Sequence, residues 1–326
     1  MERREFIGLV GGAAMAWPLS VQAQPPERMR RIGFLGLDTA SNHALRLDAL
    51  RAGLRDLGYV EGKNIAIEFR WAEGNYARLS ALVDELVRLN VDVLVTHGSS
   101  GALAAKKATS TIPIVITAVG DMLSLGLVSS LSRPGGNITG LSLFASELTA
   151  KRLELLREAI PSLMKAAVLL NPDNASYQFV LQETEATAKA LNVELKVFAV
   201  RQPSNFEQTF SAMIDQQIGA VVIQEDTMLN ANAQAIADLA IKTRLPSSGF
   251  PEFVRAGSLI SYGINFPDMD YRAAAFIDKI LKGTKPSDLP VERSTKFNII
   301  INLRTAKLLG LILPPTLLAR ADEVIE

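Results

Sequence analysis

Beyond residue 30 the chain alternates two hydrophobic patterns. Short apolar runs at 31–35, 65–69, 91–95 and 112–118 predict strands. Between them lie longer stretches with a mainly helical spacing: over 43–57 the apolar positions are Leu45, Leu47, Leu50, Leu54 and Leu57, and further helices are predicted over 76–89 and 99–108. Strands alternating with helices of this length predict a parallel sheet covered by helices on both faces. The run 112–118 suits a strand buried on both faces, and it stops at Gly120-Asp121. Ligand crevices in such sheets lie beyond the carboxyl ends of the strands, so a binding loop is expected there.

The same order then returns. A strand at 165–170, a helix over 174–191, a strand at 194–200, a helix over 206–216 leading into a strand at 220–223, and a helix over 229–243 leading into Leu245-Pro246 repeat the first series. Ile32 to Ala167 is 135 positions and Pro113 to Pro246 is 133, so the register barely drifts. The fold class this implies is α/β, with two similar Rossmann-like lobes, each a doubly wound parallel sheet. Residues 111–144 read as a crossing between them: a buried strand, a polar break, a short helix, the turn Pro134-Gly135-Gly136-Asn137 and a second strand at 138–143. After the second half come a strand at 258–264, a helix over 269–281 and a strand at 295–301. Sending 258–264 back to the first lobe and 295–301 into the second gives a three-strand hinge with a ligand cleft between the lobes. The expected lobes are 30–118 with about 262–292, and 119–261 with about 293–326.

The 326 residues suffice for two domains, and the 34 basic and 34 acidic side chains balance, which removes any global attraction to nucleic acid or anionic lipid. Cysteine is absent, excluding disulfides, thiolate metal sites and cysteine nucleophiles. His43 and His97, the two histidines, are far apart in sequence, and no calcium-loop spacing occurs, so no metal site is expected. Neither G-x-G-x-x-G nor a P-loop is present, so no nucleotide cofactor is expected. His97-Gly98-Ser99-Ser100-Gly101 is not G-x-S-x-G, and no catalytic residue is assigned. At the N-terminus Arg3-Arg4 precede a weakly apolar run, and Val21-Gln22-Ala23 supplies small residues for cleavage near Ala23. The chain is therefore expected to be exported to the periplasm through a twin-arginine-like signal, with no membrane insertion of the mature chain.

Candidate ligand contacts follow from position in the loops. Asp38 and Thr39 follow the first strand, His97, Ser99 and Ser100 the third, and Asp121 the fourth. In the second half Asn174, Tyr177, Asp226 and Phe250 hold matching places, while Phe144 ends the crossing strand and Tyr262 lies in the returning one. Ser99 or Ser100 is expected to cap the third helix, and Asn174 is well placed to cap its own.

Several segments together carry a family likeness: Gly58-Tyr59-Val60-Glu61-Gly62-Lys63-Asn64, Ile112-Pro113-Ile114-Val115, Gly126-Leu127-Val128, Leu131 through Gly140, Ser261-Tyr262-Gly263 and Ile280-Leu281-Lys282-Gly283. Through nearly all of the mature chain it resembles the tryptophan/tyrosine-type substrate-binding proteins of bacterial ABC transporters. The resemblance implies a type I periplasmic binding-protein fold, capture of a small-molecule solute between the lobes and delivery to an inner-membrane ABC permease, with no cofactor and no catalysis. A monomer is expected. The alternative is an exported sensing subunit of the same shape, read by a membrane signalling protein. Family members suited to amino acids tend to carry acidic residues just after the strand matching 245–248. This chain has Gly249-Phe250-Pro251 there, while Asp121 matches the family's Asp, which favours a flat or less zwitterionic solute.

Overall fold

The protein is described by a computed structural model over residues 28–143 and 145–326. The expected export signal, its cleavage position at Ala23 and the candidate Phe144 lie outside the described residues. The first half runs β1 (Arg30–Gly36), α1 (Ala44–Asp56), β2 (Ile65–Trp71), α2 (Leu79–Arg88), β3 (Val93–Thr96), α3 (Ser99–Ala108), β4 (Ile114–Val119) and β5 (Ile138–Ser142). The second half opens with α4 (Ala145–Ala159) and continues through β6 (Lys165–Leu170), α5 (Tyr177–Ala190), β7 (Glu194–Ala199), α6 (Phe206–Asp215) and β8 (Ala220–Ile223). There follow α7 (Thr227–Ala231), α8 (Ala233–Lys242), β9 (Ser247–Gly249), α9 (Pro251–Arg255), β10 (Ile260–Gly263) and α10 (Phe266–Leu281). The chain closes with β11 (Glu292–Arg293), β12 (Asn298–Asn302), α11 (Leu303–Leu309), α12 (Pro315–Leu318) and β13 (Glu323–Ile325).

Two sheets result. The first has the order β11-β5-β4-β3-β1-β2 and is parallel throughout. The second has the order β13-β12-β10-β9-β8-β6-β7, parallel except where β10 meets β12. β3, β4 and β5 are buried along their whole length, as expected for strands covered by helices on both faces.

The crossings differ from the expected ones. β5 pairs with β4 in parallel, Ile114 opposite Ile138, so residues 119–142 stay with the first sheet and the lobe does not end at 118. A tight turn cannot join parallel neighbours; the connection 120–137 is long enough to carry the chain back along β4, and it forms turns in place of the expected short helix. Nor does 258–264 return to the first lobe, because β10 lies between β9 and β12. The return is made by α10, which packs along α1 and under β4, and β11 then pairs with β5 before β12 re-enters the second sheet. The chain thus changes lobes between β5 and α4, between β10 and α10, and between β11 and β12.

The two halves also share their helix endings. Gly58 after α1 and Asn192 after α5 both adopt left-handed backbone, at φ of 90° and 54°, as do Asn90 after α2 and Gln217 after α6. A residue of positive φ just past the last turn is a standard helix stop, and Gly or Asn meets it with least strain. Gly53 serves a different need: a Cβ there would lie 2.4 Å from the Tyr271 carbonyl oxygen, so its absence lets α1 and α10 touch. The apolar faces of both sheets are joined through the pair Phe250 and Phe266, stacked with centroids 5.0 Å apart.

Candidate functional site

The loops at the carboxyl ends of the two sheets face each other across a cavity of about 210 Å³, which adjoins a larger cleft of about 720 Å³. Asp38 borders both spaces. The inner cavity takes Arg46 and His97 from the first lobe, Glu225, Asn230 and Glu252 from the second, and Phe266 from the start of the returning helix.

The first lobe's wall is built on a histidine pair. His43, immediately before α1, and His97, immediately after β3, stack with centroids 4.4 Å apart although 54 positions separate them in the chain. Both are buried, and burial pushes both imidazoles well below their ordinary range, so they are neutral at pH 7. His97 Nε2 accepts the Leu37 N–H at 3.3 Å. The Nδ1 of His43 lies 3.4 Å from Asp38 Oδ1, yet neither atom has a hydrogen bond. The expectation that the two histidines are too distant to share a site therefore fails: ligand atoms of Asp38, His43 and His97 lie within 4.8 Å of one another, close enough to hold a divalent ion if His97 Nε2 gave up Leu37. His97 follows from Gly98, whose φ of 68° and lack of a Cβ let the loop turn against Leu37 before α3 begins.

The second lobe's wall is acidic. Asp226 is buried and saturated: its carboxylate accepts from the Tyr76 hydroxyl at 2.8 Å, from the side-chain amides of Asn171 and Asn174, and from the backbone of Met228 and Leu229, whose helix it caps. Burial raises its pKa against the pull of those donors. Its neighbour Glu225 makes no side-chain hydrogen bond among the described residues, and burial lifts its pKa to about 7 despite the guanidiniums of Arg152 and Arg46. Burial likewise raises Glu252, whose Oε2 has no partner.

Two arginines and two phenylalanines form one column through the junction. Arg46 sits over Phe266 at 4.6 Å, Phe266 stacks on Phe250, and Arg152 sits over Phe250 at 4.0 Å. Arg46 is anchored by Asp270, Nε to Oδ2 at 2.6 Å, and by Thr117. Arg152 is wholly buried, donating to the carbonyls of Tyr262 and Ile223 at 2.8 and 3.1 Å; burial lowers its pKa to about 9.

Among the residues expected from sequence, Asp38 and His97 face the inner cavity. Thr39 borders the outer cleft, with its hydroxyl engaged by Ser41 and the Asn42 N–H. Ser99 and Ser100 do not cap α3, whose N-cap is Gly98; they reach across the cleft, Ser99 Oγ to Ser176 Oγ at 2.5 Å and Ser100 Oγ to the Asp173 carbonyl and Ala175 N–H. Asn174 and Asp226 lie at the same pinch between the lobes. The other candidates are elsewhere. Asp121 closes its own turn, accepting from Leu123 N at 2.9 Å and Ser124 Oγ at 2.6 Å. Tyr177 packs into the second lobe's core, and the Tyr262 ring lies against Phe297. Phe250, with none of its surface exposed, is behind the cavity wall, because the rings and guanidiniums of the column cover it.

Among the cavity residues that escaped the sequence are Arg46, Glu252, Asn230 and Phe266. Arg46 and Glu252 read as ordinary solvated helix charges, whereas Glu225 could have been found, since it adjoins Asp226 in a loop already placed at the cleft.

Residues 41–325 match the profile of the family described as ABC transporter substrate binding protein. A tyrosine-binding protein of Clostridioides difficile (strain R20291) is 29% identical over 259 residues, covering 79% of this chain and 74% of that one. Among solved structures, an ABC domain from Streptococcus pneumonia in complex with L-Trp superposes with a TM-score of 0.83 at 24% identity, covering 91% and 99% of the two chains. The ligand-free, open structure of a substrate binding protein from Clostridium difficile gives 0.64 at 25% identity, over 91% and 99%. The fold is that of type I periplasmic binding proteins, shared also with a leucine-binding protein of Thermotoga maritima.

Proposed function

The chain belongs to the ABC transporter substrate-binding protein family, and on that premise we propose that it is the exported solute receptor of an importer. It captures one small organic solute, aromatic or amino-acid-like, by closure of the lobes and delivers it to an inner-membrane permease. The observation that carries this reading is the latch around the cavity: Tyr76 to Asp226, Ser99 to Ser176 and Ser100 to Asp173 all join opposite lobes, and all can separate without disturbing either sheet. The relatives named for tyrosine and crystallised with L-Trp support a solute of amino-acid size. So does an inner cavity of about 210 Å³, smaller than the roughly 300–1,000 Å³ of drug-sized sites. Export rests on Arg3-Arg4 and Val21-Gln22-Ala23, and among the described residues no helix is long and apolar enough to cross a membrane.

The test is a thermal-shift and calorimetry screen of the chain starting at Gln24 against amino acids, aromatic acids and amines. A true solute at a hundred times its dissociation constant adds about 2.7 kcal/mol to the unfolding free energy. Silence across the panel, or turnover of a bound compound, overturns the reading.

A further inference from the structure

Buried polar atoms without a partner gather at the cavity. Three residues that line it each carry one, Asp38 Oδ1, Asn230 Oδ1 and Glu252 Oε2, all acceptors, and the one on Arg152, behind the lining, is the donor Nη2. Asp38 is only 9% exposed. Glu225 adds a fourth acceptor group at the same surface. A buried acceptor left unpaired is costly, so whatever fills this space must bring N–H or O–H donors to both lobes at once.

Charge narrows the choice. The charged residues that line the cavity are three acids, Asp38, Glu225 and Glu252, and one guanidinium, Arg46, which is already paired with Asp270. Asp226 adds a fifth acid, but its five donors satisfy it. Both histidines are neutral and contribute no positive charge. Burial raises the pKa of all three acids, and a solute of net positive charge favours their ionised forms more than a zwitterion does. Shape points the same way: Phe266 is almost wholly buried, with Arg46 and Phe250 against its ring, which leaves little of it to stack on a flat solute.

We propose that the cavity takes a small organic cation, an amine, amidine or guanidine with net positive charge, held between Asp38 of the first lobe and Glu225 and Glu252 of the second. This rests on the solute-receptor reading and specifies its substrate class. The cation closes the lobes because its donors engage acids on opposite sides of the cleft, two of which, Asp38 and Glu252, each have an oxygen without a partner.

Calorimetry of the chain starting at Gln24 decides it, using arginine, agmatine and putrescine against citrulline, tyrosine, tryptophan and benzoate, with zinc chloride alone as a further probe. At least one of the three cations should bind, and citrulline, which replaces the guanidinium of arginine with a neutral urea, should bind at least tenfold more weakly than arginine. Glu252→Gln and Asp38→Asn should each weaken the bound cation tenfold or more, and circular dichroism of both variants reports whether they fold. Failure of all three cations to bind overturns the proposal. So does tyrosine, tryptophan, benzoate or citrulline binding as tightly as the best of them, an outcome that leaves the receptor reading standing. Zinc binding without cation binding also overturns it, in favour of a metal at Asp38, His43 and His97.

Discussion

Asp38 and Asp226 are two acids buried on opposite walls of one cleft, and they are treated in opposite ways. Asp226 is met by five donors from its own lobe and from Tyr76, so it fixes the loop that carries it and latches the lobes together. Asp38 has one oxygen with no hydrogen bond, although His43 Nδ1 lies 3.4 Å away. The difference separates two uses of a buried charge. A saturated acid organises structure; an unsaturated one at a cavity wall is left for something that arrives.

Removing Asp226 should break the contrast most severely. Asp226→Ala strands Asn171, Asn174 and the Tyr76 hydroxyl together and should lower the unfolding free energy by roughly 3–5 kcal/mol in urea denaturation. If Asp226→Ala unfolded like the parent, the saturated acid would not be structural. A smaller effect sharpens the unsaturated side. Glu225 ionises near pH 7, and a bound cation requires it ionised, so affinity should rise roughly tenfold per pH unit up to about 7 and then level. Glu225→Gln should flatten that profile in titration calorimetry. For the unliganded protein the sign reverses: a carboxyl raised from 4.5 to about 7 holds its proton better when folded, so its contribution to stability grows as pH falls across that window. The smallest effect is expected at Asp121, whose carboxylate serves only its own turn. Asp121→Asn should change stability by about 0.5 kcal/mol or less and leave solute affinity unaltered, and a clear loss of affinity would return it to the site.

The sequence conveyed the lobes better than the site, for a physical reason. Strand and helix periods are local, so the repeat of elements could be read residue by residue. Partnership is not local. Nothing near Phe250 announces that Phe266 and Arg152 will enclose it, so an apparent aromatic wall proved to be packing. Nothing near His43 announces His97. The loop ends were legible because strand order fixes them; which side chains there remain unpaired depends on contacts across more than fifty positions of chain, as at Asp226.

The winding of the chain between lobes also bears on how it is made. A ribosome that has released residues up to 143 has delivered five of the first sheet's six strands, but not the helix Phe266–Leu281 that lies along Ala44–Asp56, nor the edge strand Glu292–Arg293. The second sheet equally waits for Asn298–Asn302 and Glu323–Ile325. Neither lobe can finish folding during synthesis before the other is nearly complete, so the usual order in which an N-terminal domain matures first is unavailable. The nascent first lobe stays uncovered on the face where Phe34 and Leu50 await their neighbours, a period during which it depends on chaperones or on speed.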